Sequence, residues 1–200
     1  MKPILACDVD STVWNTGARV REVVLETTGD VLDMEAVSTW THILDAYGEE
    51  VTTEIFERVL APERVRKRQP YPGSAEVLHY LQEERSIRIH FITRNHDPEA
   101  IKPHLESWLK EHFGPGVGLT VTTGDKLGIL RQLGAFGLID DRAEILERAA
   151  DAGLWVAAKI QPWNRDLVAR RADVHGFSDW REVPDLLPVL YSIGAEREDT

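Results

Sequence analysis

Asp8 and Asp10 stand two residues apart at the end of the first apolar run, Ile4-Leu-Ala-Cys-Asp-Val-Asp-Ser-Thr12. Side chains alternate along an extended chain, so both carboxylates are expected on one face, with Val9 on the other. Two converging carboxylates followed by the small, turn-prone residues Ser11 and Thr12 repel each other unless a cation lies between them. That pattern implies a metal site containing a nucleophile. Thr93, Lys126, Asp140 and Asp141 each follow or end a later apolar run. A nucleophilic carboxylate, an acid–base carboxylate, a hydroxyl, a lysine and a further acidic pair suit attack on a phosphate dianion. Each unit-charge repulsion at ~4 Å costs roughly 4 kcal/mol at an effective dielectric near 20. A divalent cation and a lysine remove that cost and stabilise the transferring phosphoryl group. Hard oxygen donors without a His/Cys cluster favour Mg²⁺.

These residues must be held together by the elements around them. Short apolar runs alternate with helical patterns, which implies a parallel sheet with crossover helices. The expected strands are Pro3–Cys7, Ile87–Ile92, Gly118–Thr122, Gly137–Asp140 and Leu154–Lys159. The first four end at Asp8, at Thr93, just before Lys126, and at Asp140, and ligands bind outside the carboxyl ends of such strands. Helices are expected over Ser74–Glu84, from Asp97-Pro98 to His112 with a kink or late start at Pro103, over Lys126–Leu133, Arg142–Ala152 and Ser178–Leu190. Asp140 or Asp141 could instead cap the helix that follows them.

More than fifty residues separate the first strand from the second, too many for one crossover. Residues 15–69 read as helices over Arg19–Thr27, Met34–Trp40, Ile43–Tyr47, Thr53–Leu60 and Pro62–Arg68, a helical cap inserted over the strand ends. The core would then be residues 1–14 and 70–200, with Pro70-Tyr-Pro-Gly73 as the return hinge.

The bulk composition narrows the function classes. A net charge of −11 argues against a nucleic-acid partner, since phosphate contacts need a basic surface. Cys7 is the only cysteine, so no internal disulfide forms and a reducing compartment fits. No apolar run approaches a membrane span, and the expected setting is cytoplasmic. Oligomeric state is left open.

In combination the motifs resemble the phosphatase branch of the haloacid dehalogenase-like (HAD) superfamily. The matching segments are Asp8-Val-Asp10-Ser-Thr12, Phe91-Ile-Thr93-Arg-Asn95, Lys126, and Ile139-Asp140-Asp141-Arg142. Dehalogenases of the superfamily lack the second aspartate, and its phosphatases keep it. The helical insert, the Tyr71-Pro-Gly73 turn and Gly124-Asp-Lys126 before Leu138-Ile-Asp-Asp-Arg142 are similar to the cytosolic deoxyribonucleotidases (type C 5′-nucleotidases). Those enzymes usually carry glycine where this chain has Ser11. The resemblance implies an α/β fold, a Rossmann-like parallel sheet with flanking helices and a helical cap after the first strand. It implies that Asp8 attacks phosphorus and forms an aspartyl-phosphate. Asp10 would protonate the leaving oxygen and then activate water. Mg²⁺ would be held by the Asp8 carboxylate, the Asp10 backbone carbonyl, Asp140, and Asp141 directly or through water. Thr93 and Lys126 would hold phosphoryl oxygens, with backbone N–H groups after Asp8 completing the anion site.

Ser11, Thr12, Arg94, Asn95, Trp14 and Trp40 are the expected substrate contacts, the two tryptophans as stacking faces for a base. Trp14, Trp40, Tyr47 and Phe56 serve equally as core residues at helical spacing. The run Arg64, Arg66, Lys67, Arg68 reads as a solvated helix face, with anion steering as the functional alternative. The expected reaction is hydrolysis of a small phosphomonoester, foremost a nucleoside or deoxynucleoside monophosphate. Another metabolite phosphate, a polynucleotide end, or nucleotide binding without catalysis remain as alternatives.

Overall fold

The computed structural model describes residues 2–39 and 41–188, so Trp40 lies outside the described residues. Six parallel strands form one sheet: β1 (Ile4–Cys7), β2 (Arg88–Arg94), β3 (Gly118–Thr122), β4 (Ala135–Asp140), β5 (Trp155–Lys159) and β6 (Val174–Phe177), in spatial order β3-β2-β1-β4-β5-β6. The first strand is therefore central, and the chain order reverses on its two sides. That reversal opens a crevice at the carboxyl ends of the strands.

Both faces of the sheet are buried, as a parallel sheet requires. One face carries Leu5, Cys7, Ile89, Phe91 and Ile139 into a cluster with Leu78, Leu105 and Trp108. The other carries Ile4, Ala6, Leu138 and Val156 against Leu130, Leu146 and Leu167. Cys7 is thus a core residue, as its position in the strand implies. The helices that supply these contacts are α3 (Ser74–Glu83), α4 (Pro98–Phe113), α5 (Lys126–Leu133), α6 (Ala143–Asp151) and α7 (Arg165–Arg170).

Residues 15–69 hold α1 (Thr16–Thr28), a 3-10 turn at Met34–Ala36, α2 (Thr41–Leu60) and a second 3-10 segment at Pro62–Lys67. The Met34–Trp40 helix is corrected to that single turn. Two short helices were expected at Ile43–Tyr47 and Thr53–Leu60; one element is found, broken at Gly48 (φ 76°, ψ 173°). Val20, Val24, Ile43, Ile55, Val59 and Val65 join the same apolar cluster as the sheet face, so this segment is packed onto the core.

Three further readings change. α4 starts at Pro98, because Asp97 caps it by accepting from Ala100 N at 3.1 Å, and it runs on through Pro103, which lies inside it. β6 was not expected: Val-His-Gly-Phe is short and lacks an alternating pattern. The closing helix shrinks to a turn at Trp180–Glu182 and α8 (Val183–Leu186). Pro188 explains the stop, since a residue before proline avoids helical geometry, and Leu187 is extended (φ −67°, ψ 139°). Residues 189 and 190 of that expected helix lie outside the described residues.

Candidate active site

Strand register brings the acidic groups together. Cys7 pairs with Phe91 of β2 and with Ile139 of β4, and the Asp8 amide donates to the Ile139 carbonyl at 2.8 Å. Asp8 therefore stands beside Asp140, one residue past the pairing. Asp8, Asp140 and Asp141 are buried, each with a carboxylate oxygen within 4.8 Å of the others.

Lys126, the first residue of α5, enters this acidic group. Its ammonium donates to Asp8 Oδ1 at 2.5 Å and to Asp140 Oδ2 at 2.7 Å. A cation at a helix start opposes the helix dipole, so these two carboxylates supply the compensation. Burial would lower the Lys126 pKa, but Asp140 and Asp8 outweigh it and hold the ammonium above its ordinary value. Asp8 is pushed up to about 7, by burial first and then by Asp140 and Asp10, against the pull of Lys126. Burial also drives Asp141 well up, reinforced by Asp140 and Asp8.

Neither Asp140 nor Asp141 caps α6 with its side chain in the ordinary manner, and Arg142 occupies the cap position. Asp140 Oδ1 accepts from the Asp141 and Arg142 amides, both at 2.9 Å. Asp141 is fixed from elsewhere: Trp163 Nε1 donates to its Oδ2 at 2.9 Å, and Asn164 Nδ2 donates to its carbonyl at 2.7 Å. Thr12 Oγ1 lies 3.4 Å from both Asp8 Oδ2 and Asp141 Oδ1.

Asp10 shares the cleft but not the acidic group. β1 ends at Cys7 and the chain turns from Asp10, so alternation no longer governs its side chain. Thr93 Oγ1 donates to Asp10 Oδ2 at 2.9 Å, and Thr16 Oγ1 lies 3.4 Å from its Oδ1. Arg68 Nη1 lies 3.8 Å from that same oxygen. Arg68 is not on a solvated face: it is 5% exposed, and its guanidinium stacks 3.7 Å from the Trp14 ring centroid.

The cleft over these groups has a volume of 340 Å³. Asp8, Asp10, Ser11, Thr93, Lys126 and Asp141 line it, joined by Arg94, Arg142, and Phe56 and Leu60 of α2. Ser11 holds φ 59°, the left-handed region that costs a residue with a Cβ, and its hydroxyl is buried without a hydrogen-bond partner. Two expected contacts are elsewhere. Asn95 spends its side chain on a turn, accepting from the Asp97 amide at 2.9 Å. Trp14 is carried out of this cleft because Val13 and Trp14 fold back onto the Val9 carbonyl. Its ring lies under Arg68.

Trp163, Asn164, Thr16 and Arg68 hold the site together without having been expected in these roles. The Gln161-Pro-Trp-Asn164 segment was visible after β5, but which acid it would fix was not. Arg68 carried no signal beyond its neighbouring basic residues.

A family model described as 5′ nucleotidase, deoxy (pyrimidine), cytosolic type C protein matches residues 2–192. No curated protein matches the chain. Among solved structures, a HAD-superfamily hydrolase of subfamily IA from Geobacter sulfurreducens aligns with a TM-score of 0.57 at 16% identity, covering 94% of this chain and 97% of that one. CbbY from Rhodobacter sphaeroides, solved with xylulose-(1,5)bisphosphate, aligns at 0.57 and 17% identity over 91% and 96%. The D,D-heptose 1,7-bisphosphate phosphatase from Burkholderia thailandensis aligns at 0.51 and 13% identity over 90% and 94%. These likenesses show the HAD fold.

Proposed function

Because the chain belongs to the cytosolic type C 5′-nucleotidase family, we propose that it hydrolyses nucleoside or deoxynucleoside monophosphates through an aspartyl-phosphate on Asp8. Family membership makes it a phosphomonoester hydrolase. The observation that carries the finer reading is Lys126 lodged between Asp8 and Asp140 in the floor of a cleft roofed by Phe56 and Leu60.

Three buried carboxylates with oxygens within 4.8 Å of one another are a hard-donor set that fits Mg²⁺. Asp8, Asp140 and Asp141 would hold it, with the Asp10 carbonyl. When bound, Mg²⁺ neutralises charge on the phosphoryl oxygens and the attacking carboxylate.

Asp8 then attacks phosphorus in line while the P–O bond to the nucleoside breaks. Asp10 gives its proton to the departing oxygen, and afterwards takes one from the water that cleaves the acyl phosphate. The Thr93 hydroxyl donates to Asp10 and sets that carboxyl's orientation, and in this reading it would turn to a phosphoryl oxygen when substrate binds. Lys126 supplies fixed positive charge beside the nucleophile. Arg94 and Arg142 add cations at the wall of the cleft, and Phe56 offers an aromatic face to a base. Residues 15–69 serve in this reading as a cap over residues 1–14 and 70–200, excluding water during transfer. Its setting would be the cytoplasm.

The test is phosphate release from a panel of nucleoside monophosphates and other small phosphomonoesters, with Mg²⁺ or EDTA. Mg²⁺-dependent turnover favouring nucleotides is expected, with Asp8→Asn at least about 10⁴-fold slower. Better turnover of non-nucleotide phosphates would discard the nucleotide reading and the role given to Phe56.

A further inference from the structure

Arg68 also belongs to the wall of a second and larger cleft, of 660 Å³. Trp14, Arg19, Glu22, Arg64 and Lys67 share that wall. Four cations therefore meet one carboxylate among its described residues, in a chain whose net charge is −11. Glu22 offsets only Arg19, whose Nη1 it meets at 2.8 Å with Glu26 3.6 Å away, which leaves Arg64, Lys67 and Arg68.

The nitrogens left over are the informative ones. Arg19 Nη2, Arg68 Nε and Arg68 Nη2 are buried and have no hydrogen-bond partner among the described residues. Buried donors are almost always satisfied, and an orphaned charged donor costs more than a neutral one. Two arginines carrying orphaned donors in one wall are what an oxygen-rich anion would satisfy. The Trp14 ring, 3.7 Å beneath the Arg68 guanidinium, holds the plane of that fork. Arginine forks match the oxygens of a tetrahedral dianion, and Arg64 and Lys67 add charge from the 3-10 segment facing α1.

We infer that this cleft is a second phosphoryl-anion site, and that its occupant competes with Asp10 for Arg68. Arg68 Nη1 is 3.8 Å from Asp10 Oδ1, so an anion that draws the guanidinium toward itself loosens its hold on that carboxylate. Binding at the cleft stands independently of the hydrolase mechanism; only its effect on turnover rests on the role proposed for Asp10. Two sources carry the same chemistry. One is the distal phosphate of a substrate bearing two; the other is a separate small phosphorylated molecule.

Isothermal titration of the Mg²⁺-loaded full chain with inorganic phosphate tests the site directly. Two phosphates per chain are expected in the wild type. Arg64→Gln/Lys67→Gln spares the half-buried Arg19 and the buried Arg68, and should weaken the second site at least about tenfold while leaving the first. One phosphate per chain in the wild type, or two bound equally well by the variant, would overturn the inference. Kinetics then separate the sources. A KM about tenfold lower for a nucleoside 3′,5′-bisphosphate than for the monophosphate, lost in the variant, assigns the site to a distal phosphate. Equal KM values, with added phosphate changing kcat in the wild type and not in the variant, assign it to a separate ligand. Two bound phosphates with neither kinetic effect would refute the competition for Arg68. A protein that binds both phosphates and hydrolyses nothing would refute the proposed function and leave the second site standing.

Discussion

The chemistry of this cleft is decided by which partner each carboxylate has. Asp8 and Asp140 share Lys126, Asp141 is fixed by Trp163 and Asn164, and Asp10 is turned toward Thr93 and Arg68. In the proposed mechanism that division separates a metal-holding group from an acid–base group, although Asp8 and Asp10 stand only two residues apart in sequence. The meeting of Asp8, Asp10, Thr93, Lys126, Asp140 and Asp141 at one place was legible because each lies at or just past a strand end or at a helix start. Trp14 and Asn95, expected beside them, lie elsewhere, because their directions depend on turns whose hydrogen bonds the strand and helix pattern does not show. Trp163→Phe removes one hydrogen bond to Asp141 while keeping the ring. It should weaken Mg²⁺ binding about tenfold in a metal titration, with little loss of stability. Ser11→Gly relieves both the positive φ and the orphaned hydroxyl, and should stabilise the fold by about 1 kcal/mol in chemical denaturation. A destabilised Ser11→Gly would mean that the hydroxyl has a partner in solution.

At the scale of elements, the strand ends do the positioning, and the 15–69 segment packs onto the core and lends Phe56 and Leu60 to the cleft. Five of the six strands were found to within two residues at each end. β6 escaped because four residues with a central glycine carry no periodicity, and the sheet edge, rather than their own pattern, makes them a strand. The helices of residues 15–69 were recognised as helical but misbounded, since weakly amphipathic segments take their ends from packing. Gly48 is the exception with a local cause. Its φ of 76° breaks α2, and no atom lies within 4 Å of a Cβ built there, so only backbone strain opposes a side chain. Gly48→Ala should cost about 1–2 kcal/mol in denaturation. An unchanged stability would show that α2 can run straight through.

For the whole molecule, the buried acids link folding to pH and metal. Burial pushes the Asp8 carboxyl up to about 7, against about 3.8 for an ordinary aspartate. The folded state therefore keeps a proton that the unfolded chain has already lost. Stability from this group is fully present below pH ~4 and falls as pH rises to about 7. Asp141, raised for the same cause, acts in the same direction. Thermal unfolding in EDTA should thus show Tm falling across this window, less steeply in Asp8→Asn, with Mg²⁺ restoring more stability at the higher pH. A wild-type slope no steeper than that of Asp8→Asn would contradict the burial argument. Among the described residues no helix is long and apolar enough to cross a membrane.

The most direct test is to quench the Mg²⁺-loaded enzyme with acid during turnover of a ³²P-labelled nucleoside monophosphate, and to map the label. Labelled phosphate on Asp8 is the expected result, together with loss of turnover in Asp8→Asn. Label on a different residue, or undiminished turnover by Asp8→Asn, would contradict the assignment of Asp8 as the nucleophile.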